Sequence, residues 1–343
     1  MHSSIRSGNW PSLACVLLAF GCGFNPAVDG PAAGNPSGTC PIPTEAQAID
    51  TSRPDHVVGT GTPDSCTSDA VVGAVAAGGV ITFNCGPDPV TITLSQTATV
   101  TNSSPRVVID GGSKIALSGG GKIRILYLNT CDPAQNWPSS YCQNQTGPEL
   151  TVQNITFVDG NTSGLDLNGG GAIFVSGGRL KVSGCRFFRN INYDGDWMGG
   201  GGAIRAIHQG GGQPVYVVTS TFGGQEGLGN RALTGGALSG VEVSFAVLNS
   251  LFTDNQAVAY PMVGAGGAIY SLHAPALSLC GVQMTDNSST GTGGAIWFDG
   301  RTTKSVLSID RSTLHSNHDI APGAQYPGVT AMGTVVVQAS TLQ

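Results

Sequence analysis

Gly266-Gly267-Ala268-Ile269 is one of five versions of a single phrase, the others being Gly170–Ile173, Gly201–Ile204, Gly235–Leu238 and Gly293–Ile296, with starts 31, 34, 31 and 27 residues apart. Between the copies runs a second phrase: a short Val/Leu-rich strand, a small polar step, a Phe or its substitute, and usually an Asn three residues later. Phe187/Asn190, Phe222/Gln225, Phe252/Asn255, Met284/Asn287 and Leu314/Asn317 carry it. Two interleaved phrases with one shared period describe one supersecondary unit stacked on copies of itself, a solenoid rather than a globular core. Both phrases are strand-like, so the solenoid is β. Equivalent residues of successive coils then lie about 4.8 Å apart. A one-residue slip would exchange core and solvent faces, so Ile173, Ile204, Leu238, Ile269 and Ile296 are expected to share one interior column.

Gly-Gly-Ala-Ile paired with Phe-x-x-Asn resembles the polymorphic outer-membrane protein repeat, and the sequence over roughly residues 149–343 is similar to the wider right-handed parallel β-helix, or pectin-lyase-like, superfamily. The resemblance implies an all-β, right-handed parallel β-helix. It implies less about function, because that superfamily holds adhesins, phage tailspikes, polysaccharide lyases and glycosidases on one scaffold.

Composition narrows the choice. With 343 residues, 52 Gly, 10% charged residues and a net charge of −6, the chain is not a basic nucleic-acid binder held by phosphate contacts. Residues 1–22 read as an export signal: Arg6 in the leader, an apolar run from Leu13 to Phe20 too short to span a membrane, and Ala19–Phe20–Gly21–Cys22 resembling a bacterial lipoprotein signal. Leu is expected at the position of Ala19 and a small residue at that of Phe20, so lipidation of Cys22 and ordinary secretory cleavage further on both stand. Residues 23–65, rich in Pro, Gly, Ala, Ser and Thr, read as a flexible tether. From Cys66 to Gln343 the β-helix is expected, opened by a short helix over 68–76 that covers its N-terminal end. Cysteine usage fits an oxidising compartment: Cys66 with Cys85 and Cys131 with Cys142 would close short loops, while Cys185 and Cys280 read as buried thiols within repeats. The phrase over 334–343 stops one residue after Leu342, which predicts end-to-end self-association or further coils beyond this chain.

Repeats of about 30 residues exceed the roughly 20 that a bare coil of short strands needs, so loops are expected along one edge. The residue after each Gly-Gly-Ala-Ile/Leu gives the row Phe174, Arg205, Ser239, Tyr270, Trp297. If Ile/Leu points inward, this row points outward. Aromatic faces stack on sugar rings and Arg binds carboxylates of acidic sugars, whereas the plainer reading is an aromatic ladder sealed under loops. His208, Glu242 and His273 form a second row of titratable groups, with Arg205 the residues to test for acid/base chemistry. They reach the surface only if the chain bends first. Asp254 and Asp286, with Asp159 further back, and the run Asn190-x-Asn192-x-Asp194-x-Asp196 offer oxygen ligands for Ca²⁺, against a plainer reading as solvated turn residues. The Asn190, Asn255, Asn287, Asn317 series reads as an amide ladder.

The expectation is therefore an exported, cell-surface or extracellular adhesin or glycan-binding module. It would take a polysaccharide or cell-surface glycan as partner and touch a membrane only through a lipid anchor. The alternatives are a polysaccharide lyase or glycosidase, and a structural envelope component without ligand.

Overall fold

The computed structural model describes residues 24–135, 141–164, 169–192, 199–258, 264–300, 302–320 and 326–343. A complete coil is traced by the strands Ile173–Ser176, Arg179–Ser183, Arg186–Phe188 and Ile191–Asn192. Repetition of that circuit stacks the strands into four sheets. Among the described residues, sheet A, containing Arg179–Ser183, has ten strands; sheet B, containing Arg186–Phe188, has nine; sheet C, containing Ile173–Ser176, has eight; the narrow sheet D, containing Ile191–Asn192, has five. The molecule is an all-β parallel solenoid. The one α-helix among the described residues, Ser68–Ala77, lies on the N-terminal side, starts on the Thr67 side chain and buries Val71 and Val75 in the core.

The recurring glycines have separate reasons. At Gly266 the backbone takes φ 66°, the left-handed region that a side chain disfavours, and a Cβ there would meet the Ile269 carbonyl. At Gly267 the obstacle is the Gly294 carbonyl of the next coil. The pair thus lets one coil approach the next at its tightest bend, and Ala268, fully buried, follows at a place with little more room. Immediately afterwards Ile173, Ile204, Leu238, Ile269 and Ile296 pair in register, each with no accessible surface.

Sheet B supplies the second interior column. Phe157, Phe187, Phe222 and Phe252 are stacked with ring centroids 5.1, 4.6 and 4.7 Å apart. Met284 and Leu314 continue the line. The small polar step before this column is a ladder of its own: Ser220 Oγ accepts from Cys185 N, Ser250 Oγ from Ser220 N, and Ser312 Oγ from Val282 N, at 3.0–3.2 Å. After the column runs the amide ladder. Nδ2 of Asn190, Asn230, Asn255 and Asn287 donates to Oδ1 of the next Asn at 2.9–3.0 Å, ending on Asn317. The second rung corrects the sequence reading. Gln225 stands at the expected spacing, but the chain spends Gly223–Gly229 on an insertion and delivers Asn230 to the ladder instead.

Residues 24–65 also differ from the expected tether. They form a strap along the outside of the solenoid. Arg186 donates to the carbonyls of Pro26 and Ala27, and Gly34 N donates to Thr221 Oγ1. Two side-chain amides then behave as strand partners: Asn249 exchanges hydrogen bonds with both N–H and C=O of Cys40, at 2.8 Å each, and Gln153 with those of Ile49, at 2.9 Å each. Thr51 donates to Asp110, and the chain enters sheet A as His56–Val58, so the first coil begins before Cys66. The strap is fixed covalently by a Cys40–Cys280 bridge 240 residues apart in sequence, which removes Cys280 from the expected buried thiols. Further bridges join Cys66 to Cys85 and Cys131 to Cys142. Cys185 is free and fully buried, and burial pushes its thiol up to about 12, so it is inert at neutral pH.

Candidate functional site

The outward row of sheet C is assembled by strand register alone. Tyr127, Phe174, Arg205, Ser239, Tyr270 and Trp297 pair in succession, one per coil. Its middle and its two ends differ. Phe174, Arg205 and Ser239 in its middle are buried although they lie outside the apolar interior, whereas Tyr127 at one end and Tyr270 and Trp297 at the other are only partly buried. The row is thus covered in its middle and partly accessible at both ends.

At the first end, the partly buried Tyr127 stacks on the buried Phe174 at 5.6 Å, with the Arg124 guanidinium 5.3 and 4.9 Å from their ring centres. Arg124 also donates to the carbonyls of Gly169 and Gly170. Nothing in its spacing singles it out, because it precedes the repeats that have the full motif. Arg205 donates through Nη1 to Ser239 Oγ, while its Nε is buried without a partner. Loss of hydration lowers its guanidinium from the usual arginine range to about 10, still charged at neutral pH. At the other end, Tyr270 and Trp297 stack at 4.5 Å with planes 10° apart. Burial raises the Tyr270 phenol, and the nearby Arg205 charge partly offsets that rise.

His208, Glu242 and His273 occupy successive turns at the end of the same strands. Strict alternation would send them inward. Each takes a left-handed conformation, φ 50°, 56° and 53°, which breaks the alternation and delivers the side chain to the surface. His208 Nδ1 lies 3.0 Å from Glu242, and His273 Nε2 lies 3.8 Å from Asp299, a carboxylate that sequence spacing did not bring into the row. Arg205 belongs to the neighbouring outward row on the same strand as His208, Ile204–Ile207 and its turn.

The carboxylates proposed as calcium ligands lie at a different turn, after sheet B. Asp159 is held by both Nε and Nη2 of Arg189, at 2.8 and 2.9 Å. Asp254 accepts from Gly227 N at 2.7 Å, and Asp286 takes the same left-handed turn position one coil on. Asp194 and Asp196 lie outside the described residues, as does Cys22. Among the described residues, the one close group of three metal-ligand side chains is Cys40, Cys280 and Asp310, and its sulfurs are joined in a bridge.

One segment spans both phrases, from Asn249 through Phe252 and Asn255 to Gly266–Ile269 and the strand beyond. Residues 249–272 match the model of the Chlamydia polymorphic membrane protein (Chlamydia_PMP) repeat. The polymorphic membrane protein repeat is thus one coil of the solenoid, with its Asn on the amide ladder and its Ile in the core column. The other Gly-Gly-Ala coils reproduce that geometry. No curated protein matches the chain, and no solved structure does. No helix among the described residues is long and apolar enough to cross a membrane, which says nothing of crossing by strands.

Proposed function

We propose that the protein is exported and displayed at a cell surface, where the Phe174–Trp297 row serves as a rigid face for adhesion or glycan binding. Export would be directed by residues 1–22, with Cys22 as the residue to carry a lipid if the product is anchored. Surface display is supported by the polymorphic membrane protein repeat at 249–272. The observation that carries the binding reading is the half-exposed Tyr270–Trp297 stack. Two parallel rings held one coil apart by the backbone offer a flat apolar surface that loses little freedom on binding, and a sugar ring presents a matching C–H face.

Glycan-array binding by the exported protein tests this. Each ring contributes about 1–2 kcal/mol by stacking, so the Tyr270→Ala, Trp297→Ala double variant is expected to lose roughly 30-fold or more in affinity with its thermal transition little changed. Binding that survives the double change removes this face from consideration. An enzymatic reading has one specific support, the surface pair His208–Glu242 at 3.0 Å. Release of unsaturated uronates from pectate or alginate, lost in Glu242→Gln, would put that reading ahead.

A further inference from the structure

We propose that the strap is an axial staple, which makes the coils it crosses open together rather than one at a time. Its leg over sheet A is regular. Thr51 donates to Asp110, Ile49 exchanges its pair of hydrogen bonds with Gln153, the Gln47 carbonyl accepts from Lys181 Nζ at 2.9 Å, and the Glu45 carboxylate accepts from the Tyr216 phenol at 3.3 Å. Every second strap residue thus meets the next strand of the sheet, in the order Arg106–Asp110, Glu149–Gln153, Arg179–Ser183 and Val215–Val218. At the far end Cys40 is paired with Asn249, just past Phe245–Leu248, and bonded to Cys280, the last residue of Ala276–Cys280. At the near end the chain enters the sheet as His56–Val58. Among the described residues that strand is the first of sheet A, and Ala276–Cys280 is the eighth.

In a solenoid each coil packs only on its neighbours, so a bare stack opens stepwise, coil by coil. The strap couples coils that are not neighbours. The coil of Cys280 cannot leave the stack without taking Cys40 with it, and Cys40 cannot leave without stripping the contacts of Glu45, Gln47, Ile49 and Thr51 from the coils between. A bridge restricts an opened chain more as the loop it closes lengthens. This one joins residues 240 apart, against 19 and 11 for Cys66–Cys85 and Cys131–Cys142, so it alone ties distant coils together. Strand edges bared by stepwise opening are what proteases cut and other chains pair with. A stapled stack keeps them covered.

The test is amide hydrogen exchange of the full-length protein in low denaturant, followed on Arg106–Asp110, Glu149–Gln153, Arg179–Ser183, Val215–Val218 and Phe245–Leu248. One shared opening is expected, with protection equal within about threefold across the five strands. In the Cys40→Ser, Cys280→Ser protein, protection should fall by about 30- to 1,000-fold, the equivalent of one bridge. The five strands should also separate from one another by at least about tenfold, with Phe245–Leu248 the least protected. A second protein keeps the bridge and cuts the strap: a protease site inserted between Arg53 and Pro54, exposed residues between Thr51 and His56, is cleaved after folding. Cutting is expected to spread the five rates in the same order. Strands that already exchange at separate rates in the unmodified protein overturn the staple. So does a cut protein whose rates stay together, since the Cys40–Cys280 bridge is then a local cross-link only.

Discussion

Replacing Ile269 by Asp is expected to remove most of the folded population at neutral pH. Ile269 has no accessible surface, its neighbours in the column are Leu238 and Ile296, and Ala268 just before it is buried too. The substitution forfeits about 2–5 kcal/mol of packing, as other large-to-small core changes do, and adds a desolvation cost of several kcal/mol for a carboxylate with no partner. The sum is comparable with the entire stability of an ordinary domain, about 5–15 kcal/mol. The deficit should depend on pH with a definite sign. Burial raises the carboxyl's folded value above its unfolded value near 3.9, so the charge-specific penalty is absent below that value and grows as pH rises through the folded one. Denaturant melts of Ile269→Asp and Ile269→Val at acid and neutral pH check both points. The Val change should cost only about 1 kcal/mol, and an Asp variant as stable as Val would refute the interior column.

Asn255→Ala should be the second most damaging single change. Asn255 is fully buried; its Oδ1 accepts from the backbone N and Nδ2 of Asn230, and its Nδ2 donates to the Phe222 carbonyl and to Asn287. Truncation strands at least the Asn230 N–H and the Phe222 carbonyl away from water, at about 1–3 kcal/mol each, so a loss of about 2–6 kcal/mol is expected. Asn317, at the last rung and half-exposed, provides the internal comparison, because water replaces what its side chain supplied. Equal losses at Asn255 and Asn317, measured by denaturant midpoint, would mean that the ladder is not a buried network.

These two positions also show what could be read from sequence and why. The Gly-Gly-Ala-Ile and Phe-x-x-Asn phrases are legible because each coil must solve the same problems: a left-handed bend at Gly266, no room at Gly267, a core residue at Ile269 and a satisfied turn at Asn255. Asn230 was hidden because an insertion changes its spacing while leaving its contacts intact. The strap was unreadable for a different reason. Its Pro, Gly and Ser composition carries no periodicity, and its anchors, Asn249, Gln153 and Cys280, lie 209, 104 and 240 residues away from their partners. The outward row was visible as a column, but its covered middle and partly accessible ends depend on local burial that no spacing encodes. Arg124 and Asp299 joined the neighbourhood through coil geometry alone.

Everything assigned to the outward row presupposes that equivalent residues of successive repeats lie directly side by side, and a cysteine pair tests this directly. Ser278 and Ser308 are register partners on the accessible face of sheet A, clear of the strap's anchors on that sheet. Neighbouring strands lie about 4.8 Å apart, within the range a disulfide spans, whereas partners two residues out of register are about 8 Å apart and beyond it. Oxidation of the Ser278→Cys, Ser308→Cys protein, followed by peptide mapping, should give the new bridge in high yield. The Ser278→Cys, Val306→Cys protein should give none. A bridge in the second protein and not in the first would contradict the register, and with it both the interior column and the outward row.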